Sequence, residues 1–478
     1  MKFKRRHDYV TLIEELHQSV FSQIKSNWQF NSWPIIKNQV GYFLHILYIG
    51  KIKEEDYVNH SGTPVFAARH ISDLFRLTKY WIICQRLKKK WDSPLKDKTL
   101  LVSWHSQNNS QGINIYIDPF RKLLDQISED SLLLETDIDE KGTLSEFYSA
   151  LCAYYSVRSR LKKSFSIEMD KARYNSDLVF SFLENKMSSY SKVISSAVFE
   201  NIVYNEIYYS AYIDLLQTIQ PKLIWMYNYY ENNHLALSRA ANKLNIPIVE
   251  YQHSVIAASH FAYSKWQEID QYAEFFPSKF WAWDTSSKNI YKEDFTGYKY
   301  TPQMIVGGNL YILDKLKNIP PTASDKKKNK ILICLQGEWI PEYIEDFIVE
   351  NNDYVWYIRL HPRYPDDKEK LIALKEKFPD KIECEIANSL PLYDLLTKVE
   401  YNLTSFSGTA LEAYMLGVKN IIFGRDGYDT YKSQIDAKIF GYIQSKEDLV
   451  SLLNDPHFFN ESNILDIDTE TALKQLYD

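Results

Sequence analysis

Residues 223–251 constrain this chain more than any other stretch. A continuous apolar run, Leu223-Ile-Trp-Met-Tyr-Asn228, is followed by Leu237, Ala240, Ala241 and Leu244 at i, i+3, i+4 and i+7. Pro247 then punctuates, and a second run, Ile248-Val-Glu-Tyr251, begins. Strand, helix and strand in that order predict a βαβ unit. A strand without polar alternation is one covered on both faces, which a parallel sheet between helix layers provides.

The same signature recurs along the chain. Apolar runs at 99–104, 131–135, 280–283 and 303–306 predict further strands around the βαβ unit. The segment 318–330 pairs two prolines with a lysine run and reads as a linker. After it, runs at 331–335, 354–358, 381–384, 401–403 and 420–423 alternate with helical stretches. We therefore predict an α/β chain of three parts. Residues 1–95 form a helical N-terminal elaboration, 96–318 a first doubly wound Rossmann-like domain, and 330–478 a second. In open α/β sheets ligands bind beyond the carboxyl ends of the strands, so the cleft between the two domains is where chemistry is expected.

Composition narrows the function. The 478 residues are 45% hydrophobic and 25% charged, values of an ordinary globular protein and not of a disordered or fibrous one. A net charge of -6 leaves no chain-wide positive field for nucleic acid. Four scattered cysteines, Cys84, Cys152, Cys334 and Cys384, form no CxxC pair and indicate neither a zinc site nor a disulfide framework. The basic N-terminus is followed by Glu14 and Glu15 instead of an apolar stretch, and the longest apolar run, 40–50, is too short to span a bilayer. A cytoplasmic protein is expected, touching the inner membrane at most peripherally. Lys2, Lys4, Arg5, Arg6 and Lys88 to Lys90 are plainly read as solvated surface charges, and otherwise as contacts to anionic lipid.

Chemistry concentrates at the strand ends. In the second domain Gln336-Gly337 follows the first predicted strand, Arg359-Leu-His-Pro-Arg363 the second, and Thr404-Ser-Phe-Ser-Gly-Thr-Ala-Leu-Glu412 the fourth. His361 and Arg363 offer donors suited to a phosphate. Ser405, Ser407, Gly408 and Thr409 open a helix, where hydroxyls and free amides favour an anion. Glu412 has two readings: the fourth residue of a capping box begun by Thr409, or a carboxylate facing the cleft toward ribose hydroxyls. In the first domain, His253 and Glu231 lie just past neighbouring strands and are the candidate bases. His105 and Asp118 are candidates for lining the acceptor side.

These residues carry a resemblance. The order HPR, TSFSGTALEA, LGVKNIIFG is similar to the C-terminal half of GT-B glycosyltransferases of bacterial capsule and lipopolysaccharide synthesis. Residues 240–254, AANKLNIPIVEYQHS, resemble the "AAxxLgIPxvexQHG" stretch of that group, with Ser254 where glycine is usual. The resemblance spans roughly 220–440 and hardly reaches the first 95 residues. It implies a GT-B fold and a nucleotide-sugar donor as co-substrate, with no other cofactor. The HP element, shared with bacterial sialyltransferases and Kdo transferases, implies a CMP-linked acidic sugar over other donors. It implies His361 and Arg363 at the donor phosphate, Ser405, Ser407 and Thr409 beside it, Glu412 at the ribose, and a base pocket near Gln336 and Gly337. The acceptor would be a surface polysaccharide or lipid-linked glycan. With no DxD at a strand end, no essential metal is expected. Two rivals on the same architecture are a nucleotide-sugar 2-epimerase and a catalytically silent glycan-binding partner of a capsule assembly complex.

Overall fold

The computed structural model describes all residues except 1–2, 4, 50–70, 92–96, 109–111, 318–327, 338, 362–366, 456, 460–466 and 478. Among the described residues, twelve strands form two six-stranded sheets, and every pairing is parallel. The first sheet comprises β1 (Thr99–Ser103), β2 (Ser131–Glu135), β3 (Leu223–Tyr227), β4 (Ile248–Tyr251), β5 (Lys279–Ala282) and β6 (Gln303–Val306), in the order β2-β1-β3-β4-β5-β6. The second comprises β7 (Lys330–Cys334), β8 (Val355–Arg359), β9 (Ile382–Glu383), β10 (Tyr401–Thr404), β11 (Lys419–Phe423) and β12 (Phe440–Ile443), in the order β12-β11-β10-β7-β8-β9. This is the doubly wound, two-domain arrangement of the GT-B type, with a helical N-terminal region.

Each sheet is covered on both faces, which is why its central strands read as unbroken apolar runs. Along β3 the side chains alternate: Ile224 and Met226 join the core under the helical layer, while Leu223, Trp225 and Tyr227 join a core that faces the second domain. Along β7, Leu332 and Cys334 enter that same core, and Ile331 and Ile333 enter the one on the far face. The two domains thus share one apolar cluster.

Each sheet reverses its strand order once, between β1 and β3 and between β10 and β7. The loops leaving these strands diverge and open a crevice at the carboxyl ends.

The helical N-terminal region is built into the molecule. Helices Arg6–Val20 and Trp33–Tyr48 pack on a long helix, Lys163–Ile219, which is kinked at Met187. The Trp33–Tyr48 helix approaches the 252–264 loop so closely that a Cβ on Gly41 would lie 2.5 Å from the Phe261 ring. The same two helices reach the second domain. The Arg6 backbone N–H donates to Asp426 Oδ1 at 2.9 Å, and the Tyr48 hydroxyl donates to Asp426 Oδ2, at the start of helix Arg425–Asp436.

The last helix, Thr469–Tyr477, returns to the first domain. Lys279 Nζ donates to the carbonyls of Gln475 and Leu476, each at 2.9 Å, and Tyr477 bonds to Thr99 at 3.0 Å. Among the described residues, no helix is long and apolar enough to cross a membrane.

Candidate active site

The interdomain crevice holds a cavity of about 630 Å³ with walls from both sheets and from the N-terminal helices. On the second domain's side it is lined by Gln336, Arg359, His361, Ser407, Gly408, Thr409 and Glu412. On the first domain's side stand Tyr116, His253, Ser254 and His260, and Arg6 and His45 close it from the N-terminal helices. A second cavity of about 610 Å³ adjoins it, sharing His45, Tyr116, His253 and His260, and extends to Trp104, Asn228, Tyr230 and Glu231. The two spaces meet along these four residues, His253 among them.

The switch point of the second sheet is tied across by side chains. Gln336, just past β7, donates through Nε2 to Ser407 Oγ at 2.7 Å, and the Thr409 amide donates to the same oxygen at 3.2 Å. Both acceptor positions of that hydroxyl are taken, so its own proton is left to donate toward the cavity. The Tyr431 hydroxyl donates to the Ser407 carbonyl and pins the loop from behind. The Ser254 hydroxyl, on the opposite wall, is buried without a hydrogen-bond partner among the described residues. Helix Thr409–Met415 is only two turns long, so the polarity here comes chiefly from side chains and loop amides.

Glu412 does not cap that helix. The N-cap is Gly408, with no side-chain cap, so Thr409 already lies inside the helix and the capping-box reading fails. Glu412 instead accepts a hydrogen bond of 2.6 Å from the Tyr393 hydroxyl at the cavity wall. Burial pushes its carboxyl up to about 7.

His253 is held at both ring nitrogens. Nδ1 lies 3.4 Å from the Tyr263 hydroxyl and Nε2 lies 3.4 Å from that of Tyr230. Tyr263 in turn donates to Glu250 Oε1 at 2.6 Å. Glu250 is fully buried on β4 and also takes the Tyr291 hydroxyl at 2.9 Å, and burial pushes its carboxyl up to about 8. Because the Tyr263 proton is committed to Glu250, its oxygen accepts from His253, placing the imidazole proton on Nδ1. Nε2 is then the basic nitrogen.

Arg6 supplies positive charge that the sequence pattern did not reveal. Its side chain is buried at 7% exposure, its Nε donates to Tyr9 at 3.5 Å, and its guanidinium stacks 5.0 Å from the Phe406 ring centroid. It pairs with no carboxylate among the described residues. Burial, followed by Arg6, pushes the imidazole of His45 down to about 3, and His260 is likewise held well below its ordinary value. These rings are neutral donors at neutral pH. Arg6 was read as a surface charge; its burial against Phe406 corrects that.

Other predicted residues lie elsewhere. Ser405 is buried off the cavity wall, beneath the start of helix Arg425–Asp436, where a Cβ on Gly427 would come within 2.8 Å of its carbonyl. Gly337 makes the turn after β7 with φ 87° and also stands off the wall. Arg363 lies outside the described residues. His105 is exposed, 3.2 Å from Glu135, while its neighbours Trp104, Ser106 and Gln107 line the second cavity. Asp118 accepts the Asn114 amide at 2.8 Å and braces a turn whose Tyr116 reaches the cavities. Glu231 lines the second cavity. The residues that were missed, Arg6, His45, His260, Tyr116 and Tyr393, carry no local motif. Among the described residues, no group of three or more His, Cys, Asp or Glu is placed to hold a metal ion.

No family model matches the chain, and no curated protein matches it. Solved structures do share its general shape. The UDP-GlcNAc 2-epimerase from Neisseria meningitidis bound to UDP-GlcNAc aligns with TM-score 0.48 and 16% identity, over 80% of this chain and 99% of that one. The S. aureus MnaA-UDP co-structure aligns with TM-score 0.47 and 14% identity, over 79% and 95%. The glycosyltransferase SnogD from Streptomyces nogalater aligns with TM-score 0.41 and 12% identity, over 80% and 99%.

Proposed function

We infer that this chain is a glycosyltransferase that moves a sugar from a nucleotide-activated donor to a hydroxyl of a glycan or lipid-linked glycan. The observation that carries the reading is the pair of adjoining cavities whose shared wall includes His253. An isomerase acting on one nucleotide sugar needs one such space; a transferase needs room for a second substrate.

In this reading the donor nucleotide occupies the first cavity. Its phosphate accepts from Arg6, His361 and the Ser407 hydroxyl, and Glu412 takes the ribose hydroxyls. As the bond between the anomeric carbon and the phosphate oxygen breaks, negative charge grows on the phosphate, where these prepositioned donors stabilise it. The acceptor enters through the second cavity. His253 Nε2 removes its hydroxyl proton as the new bond to the anomeric carbon forms. A CMP-linked acidic sugar is the donor we favour. Such a donor carries a phosphate and a carboxylate, and the cavity offers cationic or donor groups on two sides, Arg6 on one and His361 with Ser407 on the other.

The test is to incubate the full chain with CMP-, UDP- and GDP-linked sugars, with and without candidate glycan acceptors, and to follow both nucleotide and sugar by NMR. Release of nucleotide coupled to acceptor glycosylation supports the reading. Conversion of a donor, alone, into an isomeric sugar nucleotide would replace it with the isomerase reading.

A further inference from the structure

Helix Ile71–Trp91 carries apolar side chains on two opposite faces, and the described residues cover only one of them. Cys84 and Leu87 are buried against helices Leu144–Leu161 and Lys163–Ile219, and Asp73 is held there by Arg160 at 3.4 Å. On the opposite side Leu74, Phe75, Trp81 and Ile82 are 57%, 75%, 50% and 56% exposed. At 100° per residue these four fall within an arc of about 120° as two apolar ridges, Leu74 with Trp81 and Phe75 with Ile82, with Thr78, Gln85 and Lys89 between them. Large apolar side chains clustered in the open on one helix face mark an interaction surface.

The rim of the stripe identifies its partner. On the same helical wheel Lys79 and Arg86 flank one edge, Lys88 the other, and Lys89 sits within it at the last turn. The exposed residues of this helix include no acidic side chain, although the chain as a whole carries a charge of -6. We propose that the Leu74, Phe75, Trp81 and Ile82 face of this helix lies in the interface of an anionic lipid bilayer, with its lysines on the headgroups. A basic helix with Trp, Phe and Leu on its apolar face has the chemistry of an interfacial anchor. A symmetric contact between two copies is disfavoured because the exposed residues of the helix include no carboxylate to meet the other copy's basic rim.

The orientation is consistent with use. Lys90, at the lysine-rich end, donates to the Gly142 carbonyl in the loop that leaves the carboxyl end of β2. All strands of that sheet run the same way, so this end lies on the side of the first domain where the second cavity opens. The proposal goes beyond the transferase reading and does not depend on it.

Vesicle co-sedimentation of the full chain tests it, using phosphatidylcholine vesicles with and without phosphatidylglycerol. The wild type is expected to partition at least about tenfold better onto the anionic vesicles, with added salt weakening the binding. The variant F75S/W81S should lose on the order of a hundredfold. K88Q/K89Q should lose about fivefold per lysine. Both variants should keep the wild-type circular dichroism and melting temperature. Equal partitioning onto both vesicle types, or wild-type binding by F75S/W81S, overturns the proposal. So does lipid-free self-association abolished by F75S/W81S, which would make the face a dimer contact.

Discussion

Tyr263 stands between Glu250 and His253, its hydroxyl 2.6 Å from Glu250 Oε1 and 3.4 Å from His253 Nδ1. The buried carboxyl therefore chooses the tautomer of an imidazole it does not touch. Tyr263 and Glu250 act as positioning residues in the proposed transfer, and of these three residues it is His253 that lines both cavities.

Removing the base and removing its orientation should then have different sizes. His253→Ala is expected to lower kcat by about 10²- to 10³-fold. Tyr263→Phe, which deprives Nδ1–H of its acceptor while keeping the ring, should lower kcat about tenfold, leave the donor KM unchanged and alter the pH profile of kcat. Steady-state kinetics across pH checks both. A change confined to KM would show that Tyr263 only shapes the pocket.

Arg6 comes from the helical N-terminal region and lines the central cavity; among the described residues no carboxylate is ion-paired with its guanidinium, which is placed to meet an anionic ligand there. Arg6→Ala should weaken nucleotide binding by about 1.5–3 kcal/mol, the range for a hydrogen bond to a charged group. Arg6→Lys should restore part of it, because lysine keeps the charge and loses the planar fork. Isothermal titration calorimetry reads both.

Stability should fall as pH rises from 6.5 to 8. Burial raises Glu206, Glu250 and Glu412 to about 7, 8 and 7, so across this window the folded state holds protons that the unfolded state has already lost. Stability from such groups is complete below their ordinary value and is lost as pH climbs through the folded one, each contributing a slope of up to about 1.4 kcal/mol per pH unit. The buried His17, His45 and His234 act oppositely between their lowered values of about 4, 3 and 4 and the ordinary 6.5, and Lys37, which burial pushes down to about 7, offsets part of the decline above pH 7. Thermal melts across pH should show the decline, and Glu250→Gln should reduce its slope.

The sheet strands could be read from apolar runs because strands covered on both faces need no alternation. Tyr401–Thr404 and Ile248–Tyr251 were found on this signal alone. Phe440–Ile443 escaped it, being four residues long and interrupted by Gly441, whose added Cβ would lie 2.5 Å from Leu452. At the site, His253, His361 and Ser407 could be anticipated because each follows a strand. Arg6 could not: its place is set by packing between residues 420 apart, Arg6 and Asp426, which no local pattern encodes. Thr409-x-x-Glu412 misled in the other direction, since the capping pattern is present while the helix begins one residue earlier and Tyr393 claims the carboxylate.

The central claim is that the cavity between Arg6, His361 and Ser407 binds a nucleotide's phosphate, and calorimetric titration of CMP, CDP and UDP into wild type and His361→Ala tests it most directly. Saturable binding of at least one nucleotide, weakened about tenfold or more by His361→Ala, is the predicted result. Absence of binding by all three, or binding that His361→Ala leaves unchanged, would contradict the account.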